Sequence, residues 1–169
     1  MPGENELSGF ISPSIYNLPL IATLCFAANR FHWSLLSNLG QSFPHLQWLA
    51  LWQNRFSRPI PTSLSNGSEL EVVSFSYNSL TSKIPDTLGK QQHLCRLHFG
   101  SNNLGDGGDD EMELLASLTE GSMLKVVSIN NRLGGSLVAT VGSVSTWTGY
   151  FGLAFRKSHF RTHPSGIGN

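Results

Sequence analysis

Five asparagines recur along this chain at an almost constant interval. The intervals between them are 24, 25, 24 and 24 residues. A period of this size indicates a structure built from stacked units, each formed by one repeat. Such a unit cannot bury its apolar face alone and depends on its neighbours for a core. The recurring residues are Asn5, Asn29, Asn54, Asn78 and Asn102.

The residues around each asparagine repeat as well. Three apolar residues precede it in the spacing LxxLxL, and another follows two places after it. In the third repeat this frame consists of Leu46, Leu49, Leu51, Asn54 and Phe56. The same frame, with conservative exchanges, surrounds Asn29, Asn78 and Asn102.

The frame predicts one short strand per repeat. Alternation within LxL sends the leucines inward and the intervening residues outward. Stacked repeats therefore predict a parallel sheet with strands ~4.8 Å apart. The asparagine amide can both donate to and accept from backbone groups that the following turn leaves unpaired. We expect a structural ladder formed by Asn5, Asn29, Asn54, Asn78, Asn102 and Asn131.

The pattern resembles the plant-type leucine-rich repeat, LxxLxxLxLxxNxLxGxIPxxLxxL. The segments SFSYNSLTSKIPDTLGK and LHFGSNNLGDG are similar to the extracellular repeats of plant leucine-rich-repeat receptor-like kinases, especially immune receptors. The resemblance implies an α/β solenoid, a right-handed superhelix with one short parallel strand per turn and about six turns. It also implies a non-catalytic module that binds a protein or peptide ligand, or a co-receptor, in signalling and defence.

The chain is expected to form a single domain over residues 1–169. Regular repeats are expected over 5–104, an insertion over 105–123 and degenerate repeats over 124–169. Within the insertion, apolar residues at helical spacing predict a short helix. The chain begins inside one repeat and stops inside another, so we expect uncapped ends and a fragment of a larger receptor.

Two departures from the repeat stand out. The glycine of the LxGxIP segment is replaced by Trp33, Arg58 and Ser82. In addition, one residue is missing between Ile129 and Asn131 relative to the earlier repeats. These departures predict local irregularity in the solenoid.

Outward residues of the predicted strands form a candidate binding surface on the concave face. Concave faces are the usual recognition surface of solenoids, and aromatic and arginine side chains dominate interface hot spots. We therefore predict a ligand-binding surface, called here the concave strip, formed by Trp48, Trp52, Gln53, Tyr77, Arg96 and His98.

Other candidate sites are few. Asn66 opens the sequon Asn66-Gly67-Ser68 and is a candidate N-glycosylation site in a loop between repeats. Cys25 and Cys95 are three turns apart, ~14 Å at sheet spacing, which predicts free thiols. Acidic residues cluster over 106–113 without EF-hand spacing, so neither a metal nor a cofactor is predicted. An enzyme is the least favoured class.

Charge and targeting signals narrow the possible partners and the cellular location of the chain. The chain has 11 basic and 11 acidic residues, and this balance argues against nucleic-acid binding. No signal peptide or transmembrane segment is predicted in this chain. The parent receptor would act at the extracellular face of the plasma membrane. Two alternatives remain open: a stand-alone soluble leucine-rich-repeat inhibitor of secreted microbial enzymes, and a non-functional truncated gene product.

Overall fold

A computed structural model describes residues 5–66, 69–105, 123–131 and 150–155. The strands are β1 (Ser8–Gly9), β2 (Thr23–Cys25), β3 (Arg30–Trp33), β4 (Trp48–Ala50), β5 (Arg55–Phe56), β6 (Val72–Ser74), β7 (Thr81–Ser82), β8 (Arg96–His98), β9 (Asn103–Leu104), β10 (Val126–Asn131) and β11 (Tyr150–Phe155). One α-helical turn, α1, spans Leu39–Ser42, and 3-10 helices span Pro13–Asn17, Thr62–Asn66 and Asp86–Lys90.

The main sheet is parallel and follows the order of the chain. It has six strands, β2, β4, β6, β8, β10 and β11, each paired with the next. Its central row points inward and is almost fully buried. The row consists of Leu24, Leu49, Val73, Leu97 and Val127. The predicted solenoid with one parallel strand per repeat is confirmed, whereas the number of turns stays a prediction.

A second set of strands forms the lateral surface. β1, β3 and β5 form a three-stranded parallel sheet, and β7 and β9 form a two-stranded one. A single bridge between Pro59 and Thr81 joins the two sheets among the described residues. The four repeats that contain β2, β4, β6 and β8 therefore each contribute backbone pairing at two places, first in the main strand and again just after the asparagine.

The helical segments close each turn opposite the main sheet. Leu39 of α1 and its counterparts Leu64 and Leu88 in the 3-10 helices are fully buried. Aromatic residues fill the space between turns, as in the pair of Phe75 and Phe99, whose ring centroids are 5.5 Å apart. One continuous apolar cluster thus runs through the stacked repeats, as expected when each repeat buries its face on its neighbours.

Asparagine carboxamides connect successive turns. Each side-chain oxygen accepts a hydrogen bond from a backbone N–H of the preceding turn, at 2.9–3.2 Å. From Asn54 onward, each Nδ2 also donates to a carbonyl oxygen of the preceding turn, at 2.7–2.9 Å. Backbone groups that curvature leaves unpaired are satisfied in this way. The series consists of Asn29, Asn54, Asn78, Asn102 and Asn131.

Asn5 differs from the other predicted ladder residues. Its side chain is exposed, and its contact to the second repeat is a backbone N–H that donates to the oxygen of Ala28 at 3.2 Å. No turn precedes Asn5 among the described residues, so the interturn partners of the later asparagines have no counterpart there. Asn5 therefore has the position of the ladder asparagines in the sequence but not their side-chain contacts among the described residues.

A left-handed residue precedes the asparagine in four repeats. Ala28, Gln53, Tyr77 and Ser101 have φ values of 54°, 56°, 57° and 58°. This conformation turns the chain so that the following carboxamide points inward. In β10 the residue is missing, and the strand continues for six residues to Asn131 instead of three. The predicted one-residue deletion therefore removes the left-handed bend while the asparagine keeps its hydrogen bonds.

Several sequence predictions fall outside this description. The helix in the insertion, the acidic cluster and two residues of the sequon, Gly67 and Ser68, lie outside the described residues. The division into regular, inserted and degenerate parts stays a prediction. In the part of the chain that the structure describes, no helix is long and apolar enough to cross a membrane.

Candidate functional site

The concave strip begins with a row of aligned residues on the main sheet. Trp48, Val72 and Arg96 are consecutive Cα partners on β4, β6 and β8. Trp48 and Arg96 therefore lie two strands apart, or ~10 Å, with a single valine between them. An indole and a guanidinium at this separation can hold an apolar and an acidic group of one extended ligand.

A second row crosses the same face two residues later. Ala50, Ser74 and His98 are aligned on the same three strands. Because Ala50 and Ser74 have small side chains, they form a floor that is lower than the neighbouring Trp48 and Arg96. His98 is partly buried in this row, and Arg96 stands two residues before it on the same side of β8.

Burial and charge set the ionisation of His98. Burial lowers the pKa of this imidazole, and the positive charge of Arg96 lowers the same pKa further. Both effects disfavour the protonated ring. At neutral pH His98 is therefore an uncharged group that can donate or accept a hydrogen bond, while Arg96 supplies the positive charge of the row.

The remaining strip residues lie where the strands end. Trp52 is 36% exposed and Tyr77 is 65% exposed. The N–H of Gln53 donates to the oxygen of Ser76 at 2.9 Å, which places Gln53 and Tyr77 at equivalent positions of adjacent turns. The structure therefore brings Trp48, Arg96 and His98 together on the sheet, and the other three residues at its edge.

Gln53 also borders the lateral surface. It lines a cleft of about 190 Å³ together with Glu6, Asn29 and Arg30. An ion pair joins Glu6 and Arg30, with 2.5 Å between the carboxylate oxygen and Nη2. Gln53 thus belongs to the concave strip and also borders the lateral strands.

A larger groove on the lateral surface was not predicted. It measures about 590 Å³ and is lined in part by Trp33, Arg58 and Ser82. These three residues replace the repeat's glycine, and two of them have positive φ, 77° for Trp33 and 65° for Ser82. The glycine replacements are visible in the sequence, but from them we predicted only local irregularity of the solenoid and no groove.

The glycosylation candidate lies apart from both surfaces. Asn66 is exposed at the end of the 3-10 helix Thr62–Asn66 and borders a groove of about 610 Å³. Ser63 lies in the same groove, and its buried hydroxyl has no hydrogen-bond partner among the described residues. A glycan on Asn66 would project from the helical side of the solenoid.

Metal binding would need a cluster of ligand side chains at one of these surfaces. Within the described ranges, no group of three or more histidine, cysteine or acidic side chains could hold a metal ion. Cys25 is exposed, Cys95 is partly buried, and both are free thiols. The Sγ of Cys95 donates to the carbonyl oxygen of Glu71 at 3.3 Å.

Comparison with known proteins agrees with the fold. The Leucine Rich Repeat family model matches residues 69–91. The solved structure of the plant peptide hormone receptor RGFR1 in complex with RGF2 superposes with a TM-score of 0.75 and 30% identity, covering 89% of this chain and 23% of that one. The chain has the leucine-rich-repeat solenoid fold.

Two further relatives extend the comparison. Receptor-like protein 41 of Arabidopsis thaliana is 30% identical over 102 residues, or 59% of this chain. The Arabidopsis receptor kinase HAESA, solved with the peptide hormone IDA and the co-receptor SERK1, has a TM-score of 0.65 and 26% identity, covering 76% of this chain and 21% of that one. The predicted resemblance to plant leucine-rich-repeat receptors is confirmed. This solenoid spans 12% of the length of Receptor-like protein 41.

Proposed function

We propose that this solenoid is a non-catalytic recognition module, part of the ectodomain of a plant receptor, that binds a protein or peptide through the concave strip. The observation that carries the proposal is the aligned row of Trp48, Val72 and Arg96, which sets an exposed indole ~10 Å from a cation on one face of a regular sheet. Solved relatives of the same fold hold peptide hormones.

The strip has the composition of a binding hot spot. Trp48 is 46% exposed although its strand is paired on both sides, and Trp52 of the same turn is 36% exposed. Tryptophan, tyrosine and arginine are enriched among residues that carry binding energy. Because the sheet already orders the backbone, ligand binding has to order only side chains there.

The ligand would lie across the strands. Its apolar side chains would pack on the indoles, and a carboxylate would pair with Arg96. His98, neutral at neutral pH, would contribute a hydrogen bond at the floor. The module would act outside the cell within a membrane-anchored parent receptor, with a co-receptor as a second partner.

Selection of displayed peptides on the purified chain tests this function. Peptides chosen on the wild type should bind the double variant Trp52→Ala, Arg96→Ala at least about tenfold more weakly, because both anchors are lost. The double variant Gln41→Ala, Gln92→Ala, which alters two exposed residues outside the strip, is the matched control. Unchanged binding to the strip variant would contradict the proposal.

The proposed glycan has an equally direct test. Expressed through a secretory pathway, the chain should migrate faster after enzymatic removal of N-glycans, and Asn66→Gln should abolish this difference. Because the Asn66 side chain is exposed at a helix end, the substitution should not change folding. A wild-type chain that shows no shift would remove Asn66 as a glycan site.

A further inference from the structure

The lateral groove lies where the surface sheet changes partners. β5 is the last strand of the three-stranded sheet and β7 the first of the two-stranded one. Between them, the bridge from Pro59 to Thr81 replaces a ladder, and proline cannot donate a backbone hydrogen bond. A groove of about 590 Å³ opens at this break.

Trp33 presents an indole to this groove from a strained backbone. Its φ of 77° lies in the left-handed region, which costs a residue other than glycine roughly 1–2 kcal/mol. The side chain is nevertheless 58% exposed, so burial of the indole does not offset this cost. Ser82, at the equivalent position two turns later, has a φ of 65°, so this conformation belongs to the repeat and the exposed indole is what distinguishes Trp33. An exposed aromatic group in such a conformation fits a binding role better than a packing role.

The groove also has a cation in its lining. Arg58 lines it, His32 lies beside Trp33, and Arg55 on β5 is the Cα partner of His32. Neither Arg55 nor Arg58 forms an ion pair among the described residues. No aspartate or glutamate lines the groove within the described ranges. Its natural complement is a ligand with carboxylates.

Hydroxyl groups complete the lining. Ser57 and Ser82 border the groove, and the hydroxyl of Thr81 donates to the carbonyl oxygen of Ser57 at 3.5 Å. These groups can bind the backbone of an extended chain. The groove therefore combines an apolar anchor, a planar cation and short polar side chains within one concavity.

We propose that the lateral groove is a docking site for an acidic, extended peptide segment of a partner protein. An apolar side chain of the segment packs on Trp33, and the neighbouring carboxylate accepts two hydrogen bonds from the guanidinium of Arg58. Trp and Arg together are the anchors that protein partners favour, which supports a peptide over an acidic oligosaccharide. This site is independent of the concave strip.

A fluorescent peptide in which glutamate alternates with phenylalanine is the probe, and the full chain is used throughout. Fluorescence anisotropy should show saturable binding that weakens as salt increases. The matched peptide with glutamine in place of glutamate should bind at least about tenfold more weakly, a loss of one bidentate contact. Equal binding of the two peptides would overturn the proposal.

Variants of the chain locate the site. Arg58→Gln and Trp33→Gly should each weaken peptide binding about tenfold or more, as expected for anchors. Arg58 is exposed, and glycine suits the backbone at position 33, so both variants should fold. Because the concave strip offers similar chemistry, the peptide is also titrated against the strip variant Trp52→Ala, Arg96→Ala, which should keep saturable binding that Arg58→Gln then removes.

The outcomes separate this proposal from the function proposed for the concave strip. Loss of binding in the strip variant, with normal binding in the two groove variants, would move the peptide to the strip and overturn the lateral site. An oligogalacturonate that binds more tightly than the peptide, and loses affinity with Arg58→Gln, would overturn the choice of a peptide.

Discussion

The carboxamide oxygen of Asn54 accepts a hydrogen bond from the backbone N–H of Phe31, one turn earlier, at 2.9 Å. The same side chain donates through Nδ2 to the carbonyl oxygens of Phe26 at 2.9 Å and Leu51 at 3.2 Å. One asparagine therefore ties its own turn to the turn before it, and no apolar residue could satisfy these backbone groups.

Replacement of a central ladder asparagine should destabilise the solenoid strongly. Asn54→Ala removes the carboxamide oxygen, which accepts a hydrogen bond, and the Nδ2 group, which donates. Partly buried backbone groups then lose their partners, which should lower the free energy of unfolding by ~2–4 kcal/mol. Urea unfolding measures the change. Asn38→Ala is the control, because Asn38 is exposed and makes no side-chain capping bond, and it should change stability by less than ~0.5 kcal/mol. Equal effects of the two substitutions would contradict an energetic role for the ladder.

Relief of backbone strain at Trp33 should stabilise the fold. Glycine adopts a φ of 77° freely, whereas alanine remains strained there. Trp33→Gly should therefore be more stable than Trp33→Ala by ~1 kcal/mol, because both variants lack the indole and differ in strain. Thermal unfolding of the pair measures this difference directly. If the alanine variant is as stable as the glycine variant, the backbone at position 33 is not strained.

Truncation of the inward row of the main sheet should be costly. Leu49 has no exposed surface, so Leu49→Ala should cost ~2–5 kcal/mol through lost burial and a cavity between turns. Leu20→Ala is the matched control, because 82% of Leu20 is exposed and its truncation should be nearly neutral. The denaturant midpoints of the two variants measure the difference in stability, provided that the dependence of the unfolding free energy on denaturant concentration is unchanged. A neutral Leu49→Ala would be incompatible with the continuous core.

The lowered pKa of His98 predicts a pH dependence of stability. The unfolded chain binds a proton near pH 6.5, while folded His98 resists protonation. Its contribution is therefore fully present above that pH and is lost as the pH falls below it toward the folded pKa. His98→Gln should flatten this part of the profile, measured by urea unfolding between neutral and mildly acidic pH.

A second variant tests the cause of the shift. Arg96→Gln removes the positive charge beside His98, so the pKa of the imidazole should rise toward its ordinary value while part of the burial effect remains. Titration of the His98 ring signals by NMR measures this pKa. A pKa that does not move would show that the Arg96 charge has no part in the shift.

The sequence predicted the fold because the periodicity of a solenoid is local. The alternation around Leu49 sets which side chains point inward, and stacking repeats this choice in every turn. The missing residue before Asn131 was also visible in the frame. Its consequence, a strand that runs straight to Asn131 without a left-handed residue, needed the structure, because the backbone conformation depends on the hydrogen bonds of the turn before.

The sequence by itself determined the stacked parallel strands and the outward position of Trp48 and Arg96. The tertiary structure decided which outward residues become neighbours and how deeply each is buried. It also produced the lateral groove, because Trp33 and Arg58 are 25 positions apart and meet only when two turns stack. Inward or outward direction is encoded by alternation within one strand, whereas the shape of a groove depends on the register and spacing between turns.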